Sequence, residues 1–245
     1  MPFWFKVKKL MFLLTGVSCL LFILFLTLAI IYYPGGTRFN KFFIGYNFLE
    51  TFPSDLGRSI AINDQVNTIS RLFFQIGITL MSVFQIYYYI LFPFLLKKKR
   101  PSLILAIVGS LAGFVSSILY IGIAFNPIDV HAKLHNRLIY SSAPLVFVAT
   151  IFLIAAIFTH KEFPRFFGYL YISLASAFFL FAIATLVGSL QEDNYINWVI
   201  RILGHNILIY LEGAIFAALG FGVYRYLQRK ELSATELPVT QITMT

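Results

Sequence analysis

Six long apolar runs follow one another along this chain, separated by short clusters of polar and turn-forming residues. They are Leu10–Tyr33, Thr68–Leu96, Ser102–Phe125, Leu138–Thr159, Phe166–Gly188 and Trp198–Leu227. A helix of about 20 apolar residues matches the hydrocarbon thickness of a bilayer, and a backbone in lipid must satisfy its own hydrogen bonds. No run alternates apolar and polar positions with a period of two, which argues against a membrane β-barrel. The pattern therefore predicts an all-α polytopic membrane bundle of six transmembrane helices, with residues 1–230 forming one domain.

Composition strengthens that reading. Hydrophobic residues make up 59% of the chain, and only 12% are charged. Soluble domains carry about twice that charged fraction. Lys6, Lys8 and Lys9 ahead of the first run imitate a secretory signal, but the run is too long for one and no small-residue cleavage site follows it. The first run is read as a retained helix. It holds the chain's single cysteine, Cys19, so an intrachain disulfide is excluded.

Lys and Arg are distributed unequally between the two ends of the runs. Lys6, Lys8 and Lys9, the Lys97–Arg100 cluster, Lys161, Arg165, Arg225, Arg229 and Lys230 share one side. Arg38, Lys41, Arg58, Arg71, Lys133, Arg137 and Arg201 share the other, where Glu50, Asp55, Asp64, Asp129, Glu192 and Asp193 dilute them. Positive charge is retained in the cytoplasm, so both termini are predicted to be cytoplasmic. The net charge of +9 is then a topology signal and does not point to nucleic acid.

The longest connection, 34–67, is extracytoplasmic in this scheme. Pro34-Gly35-Gly36 ends the first helix, and the loop then carries Phe39, Phe42, Phe43, Tyr46, Phe48 and Phe52. Aromatic content of that kind suits a lid lying on the membrane interface or capping the bundle. Residues 231–245 read as a disordered cytoplasmic tail. Gly109 and Gly113 in the third span, and Gly213, Ala217 and Gly220 in the sixth, have the spacing of close helix-packing faces.

Ionisable groups inside spans carry the most functional information, because each costs a few kcal/mol in hydrocarbon. Arg201, His205 and Glu212 fall within about 40° of one face of the sixth helix. Arg71, Gln75, Ser82 and Gln85 cluster on one face of the second. Two polar stripes at matching depth predict facing helices and a polar pocket opening outward, under the 34–67 loop. A second cluster, Asp129, His131 and His135, stands at the start of the fourth span. If His131 and His135 lie one helical turn apart, those three and His205 share one membrane depth. Three imidazoles and a carboxylate are competent ligands for Zn²⁺, which would suit a metal-dependent intramembrane lipid hydrolase with Glu212, His205, His135 and Asp129 as its catalytic candidates.

The loop segment Glu50-Thr51-Phe52-Pro53-Ser54-Asp55-Leu56-Gly57 is the clearest local motif. With His135 opening the fourth span and Glu212 in the sixth, it resembles the six-span membrane family known as domain of unknown function 998. More distantly it is similar to the family of the FGF-receptor-activating protein and the damage-regulated autophagy modulators. The positions that carry the likeness are Ser54, Asp55, Gly57, His135 and Glu212. The first family has no agreed activity; resemblance to the second implies a part in remodelling or distributing membrane lipids and in membrane trafficking. Together these features predict a multi-pass integral membrane protein that partners membrane lipids, with Ser54, Asp55, Arg58, Arg71, Gln75 and Arg201 as binding residues. A non-catalytic scaffold or trafficking partner, acting as a homo-oligomer or with another membrane protein, is the alternative.

Overall fold

The computed structural model describes residues 3–190 and 194–235. Six helices account for the long apolar runs: α1 (Phe3–Ile31), α2 (Thr68–Leu91), α3 (Arg100–Phe125), α4 (Ile128–Thr159), α5 (Arg165–Leu190) and α6 (Tyr195–Thr235). All six are long and apolar enough to cross a membrane. A short 3-10 extension, Phe92–Leu95, follows α2 where Pro93 removes a backbone donor.

Three helices outrun their apolar cores. α1 starts at Phe3 and not Leu10, and α4 starts at Ile128, ahead of the polar stretch before Leu138. α6 continues through Glu231 to Thr235, so the first five residues of the predicted tail are helical. Residues 236–245 lie outside the described residues, as do Glu192 and Asp193. Lys9 bonds the Glu231 carboxylate, which holds the first turns of α1 against the last turns of α6 at the Lys/Arg-rich end.

Each helix packs on the neighbours that precede and follow it, and α1 packs on α6, so the six close into a ring. The tightest point of closure is where α1 crosses α6. A Cβ placed on Gly220 would lie 2.5 Å from the Gly16 amide nitrogen and 2.8 Å from the Phe12 carbonyl. Gly213 likewise meets Phe22 of α1, and Gly109 meets Ala149 and Leu153 of α4. The glycine spacings are thus close-packing faces.

A ring of six leaves a centre to fill, and three layers fill it. At the Lys/Arg-rich end, rings of Phe12, Tyr88, Phe92, Phe163, Tyr171 and Phe216 interlock. The Tyr171 hydroxyl reaches from α5 to Tyr88 of α2, 3.0 Å away. A thin polar layer around Glu212 follows. The opposite end is stoppered by the loop, whose 3-10 turn Pro53–Gly57 packs on α2, α4 and α6.

Replacing Gly220 with Leu is expected to force α1 and α6 apart, lowering stability by about 1–3 kcal/mol, the usual cost of overpacking. Thermal unfolding in detergent would measure it, and an unchanged midpoint would rule out this contact as the closing seam.

Candidate functional site: a plugged polar interior

Pro53 starts the 3-10 turn, and all five of its residues, Ser54 included, are buried. Asp55 organises it. Its Oδ2 accepts the Phe52 amide at 3.0 Å and its Oδ1 accepts Arg58 Nη1 at 3.3 Å. Burial pushes the Asp55 carboxyl above the ordinary carboxylate range, while Arg58 and the Phe52 amide pull it back. A Cβ on Gly57 would stand 2.6 Å from the Phe74 ring, so the turn sits hard against α2.

Side chains from the helices satisfy the loop's main chain. Asp129, in the first turn of α4, accepts the Ser59 amide at 3.0 Å on both carboxylate oxygens and the Ile60 amide at 2.9 Å. Asn67 donates to the carbonyls of Leu56 and Arg58, both at 3.0 Å. Asn206 of α6 donates to the carbonyls of Phe48 and Thr51, at 3.0 and 3.1 Å, and its Oδ1 lies 2.6 Å from the Tyr46 hydroxyl. Arg71 Nη1 donates to Ser59 Oγ at 2.9 Å. Arg58 and Arg71 therefore hold the stopper itself.

The four candidate metal ligands do not assemble. His131 has non-helical angles (φ −125°, ψ 46°), which break the helical register between it and His135. His131 is exposed while His135 is buried, and the Asp129 carboxylate is taken by backbone amides. Among the described residues no group of three or more His, Cys, Asp or Glu is placed to hold a metal ion. This residue set does not fit the Zn²⁺ site expected from its spacing.

His135 and His205 nevertheless come within electrostatic reach of each other. His135 Nδ1 lies 2.6 Å from the Asn126 carbonyl and must donate to it, so Nε2 carries the lone pair. That nitrogen is buried and has no hydrogen-bond partner among the described residues. The His205 ring packs against Phe52 from the loop and Phe181 from α5, at centroid distances of 6.0 and 5.7 Å.

Glu212 lies one layer deeper and is 4% exposed. Tyr120 of α3 donates to its Oε2 at 3.2 Å, and Gln85 of α2 lies against the same carboxylate. The predicted stripes thus meet at Glu212, but not along their whole length. Gln75 turns away to the α3 seam and donates to the Ala124 carbonyl at 3.1 Å. Arg201 stacks on Trp198 with its Cζ 4.5 Å from the ring centre, and Arg38 stacks on the same indole at 3.4 Å. Where an outward-open pocket was expected, the buried turn fills the space. Two shallow apolar grooves instead lie on the flanks, of about 410 Å³ beside Phe48 and Tyr210 and about 380 Å³ beside Gln75 and Thr79.

Sequence reasoning missed Asn67, Asn206 and Tyr120. Asn206 carried the stronger signal, being an amide inside an apolar span next to a singled-out histidine. Tyr120 is one of 14 tyrosines, and nothing in its neighbourhood distinguishes it. No family model, no curated protein and no solved structure matches the chain.

Asp129→Ala is expected to free the Ser59 and Ile60 amides. Hydrogen bonds to charged groups contribute about 1.5–3 kcal/mol, so hydrogen exchange at those two amides should accelerate by about 10- to 100-fold. Exchange at the wild-type rate would mean that the carboxylate does not secure the loop.

Proposed function

We propose that this multi-pass membrane protein interacts with lipid, using the polar interior beneath the loop as a site for part of an amphiphile. The observation that carries this reading is the face of α6 bearing Arg201, His205 and Glu212. Glu212 on this face is buried within the bundle, and Arg201 and His205, on the same face of α6, stay partly exposed. Ionisable groups held in hydrocarbon are costly, and where they line an interior they mark ligand or ion routes. The interlocked aromatic layer on the Lys/Arg-rich side argues against a through-going path, so a one-sided site fits better than a conduit. The more distant resemblance to the FGF-receptor-activating protein and damage-regulated autophagy modulator family supports the same class of function.

A scaffold role has its own support. Several seam hydroxyls are already paired between helices: Ser102 donates to the Ala156 carbonyl at 2.7 Å and Ser116 to the Ser142 carbonyl at 3.1 Å. Such bonds fix helix register without any ligand.

Lipid retained by the purified full chain separates the two. Under the lipid reading the lipid-to-protein ratio reaches a plateau during prolonged detergent washing. Glu212→Leu lowers that plateau about tenfold, the factor given by 1.4 kcal/mol. A ratio that falls steadily to zero while the protein stays folded would leave the scaffold reading.

A further inference from the structure

The ring is not equally tight all round. In the Lys/Arg-rich half of α5, Phe167, Gly168, Tyr171, Leu174, Ala175 and Phe178 are buried along one stripe. The stripe continues as Phe181, Ala182, Thr185 and Gly188, with less bulk, and no residue from 179 to 188 is buried. On α4, the preceding member of the ring, His135 is the single buried residue between 130 and 141. The other halves of the two helices do pack, with Phe158 of α4 against Gly168 and Tyr169 of α5. Across its apolar window α5 is 22% buried, against 39–50% for the other five helices.

This loosened side leads to polar groups whose bonding is incomplete. His205 lies behind Phe181 and is only half-buried. Arg201, one helical turn nearer the loop, has its Cγ and Cδ beside Gly188, and its guanidinium binds no carboxylate among the described residues. Among the described residues His135 Nε2, fixed as an acceptor by the Asn126 bond, has no donor, and Thr185 Oγ1 on the thin stripe of α5 has no partner either. A guanidinium supplies paired donors suited to a phosphate. A buried lone pair calls for an O–H or N–H.

We propose that the loop-side halves of α4 and α5 form a lateral opening, through which a membrane lipid seats its headgroup between His135 and Arg201. The lipid is one that carries both an anionic phosphate and a hydroxyl or N–H donor. A lipid is the occupant because this half of α5 crosses the membrane and its exposed face, with Phe179, Leu180, Ile183 and Val187, is apolar. The proposal rests on the lipid-interacting reading above and adds the route and the headgroup chemistry.

The test is lipid competition on the full chain in nanodiscs, read by native mass spectrometry. Phosphatidylglycerol offers phosphate and hydroxyls, phosphatidylmethanol offers the same singly charged phosphate without a donor, and phosphatidylcholine is zwitterionic and lacks a donor. Binding is expected to fall in that order. Arg201→Gln should weaken both anionic lipids about tenfold. His135→Phe should bring phosphatidylglycerol down to the level of phosphatidylmethanol and leave the latter unchanged. Ala182→Trp, at an exposed position on the loop-side half of α5, should block phosphatidylglycerol without touching any polar group, and it serves if His135→Phe does not fold. Phosphatidylcholine binding as tightly as phosphatidylglycerol would overturn the proposal. So would full phosphatidylglycerol binding by Ala182→Trp, or by a folded His135→Phe. If all three lipids wash off alike, the lipid reading itself fails. If they are retained without this selectivity, only the lateral site does.

Discussion

A non-helical segment sunk into the end of a helical ring must find partners for its main chain within the protein, and the architecture turns on how it does so. Helices satisfy their own amides and carbonyls. The 3-10 turn at Pro53–Gly57 and the chain leaving it cannot. The partners come from three directions: the Asp129 carboxylate on α4, the Asn67 amide at the start of α2, and the Asn206 amide on α6. Each of these side chains bonds two backbone groups, so three residues from alternate helices fix one loop. Helices that barely touch one another are thereby spaced through a common object.

Beneath the stopper the chemistry changes from main-chain satisfaction to the isolation of an acid. Glu212 has Tyr120 and Gln85 as its polar company and an aromatic layer on its other side. A carboxylate held this way has a hydrogen bond from Tyr120 but, among the described residues, no cation to neutralise it. That arrangement is expensive as pure structure, since an apolar residue would fill the same volume without penalty. It is the strongest physical reason to regard the interior as a working site.

The bundle itself could be read from the sequence, because hydrocarbon leaves a long apolar run few options other than a helix. Glycine spacing also foretold close packing, as the Gly16–Gly220 crossing demonstrates. The site was legible only in part. Arg201, His205 and Glu212 share a face as helical periodicity requires, because α6 is continuous there. The His131–His135 pairing failed because one residue leaves helical angles, and no sequence signal marks that break. Asp129 was read as a ligand for a metal, yet it serves the amides of Ser59 and Ile60, 70 and 69 positions away. Contacts across such separations depend on how helices are arranged around the ring, which local patterns do not encode.

The Lys9–Glu231 bond and the Gly16–Gly220 crossing have a consequence for biosynthesis. Of these six helices α1 is made before the other five, yet it needs α6, made after them, as one of its two neighbours. Until then α1 holds only α2, and the α6-facing groove around Gly16 stays open to lipid or to whatever accompanies the nascent chain. Five helices make an arc and the sixth makes a ring, so a chain interrupted before α6 would lose the side wall of the interior and the Asn206 anchor of the loop together. Closure of the ring is then a single event that waits for α6, which brings the contact with α1, the acid and the fastening of the stopper into place at once.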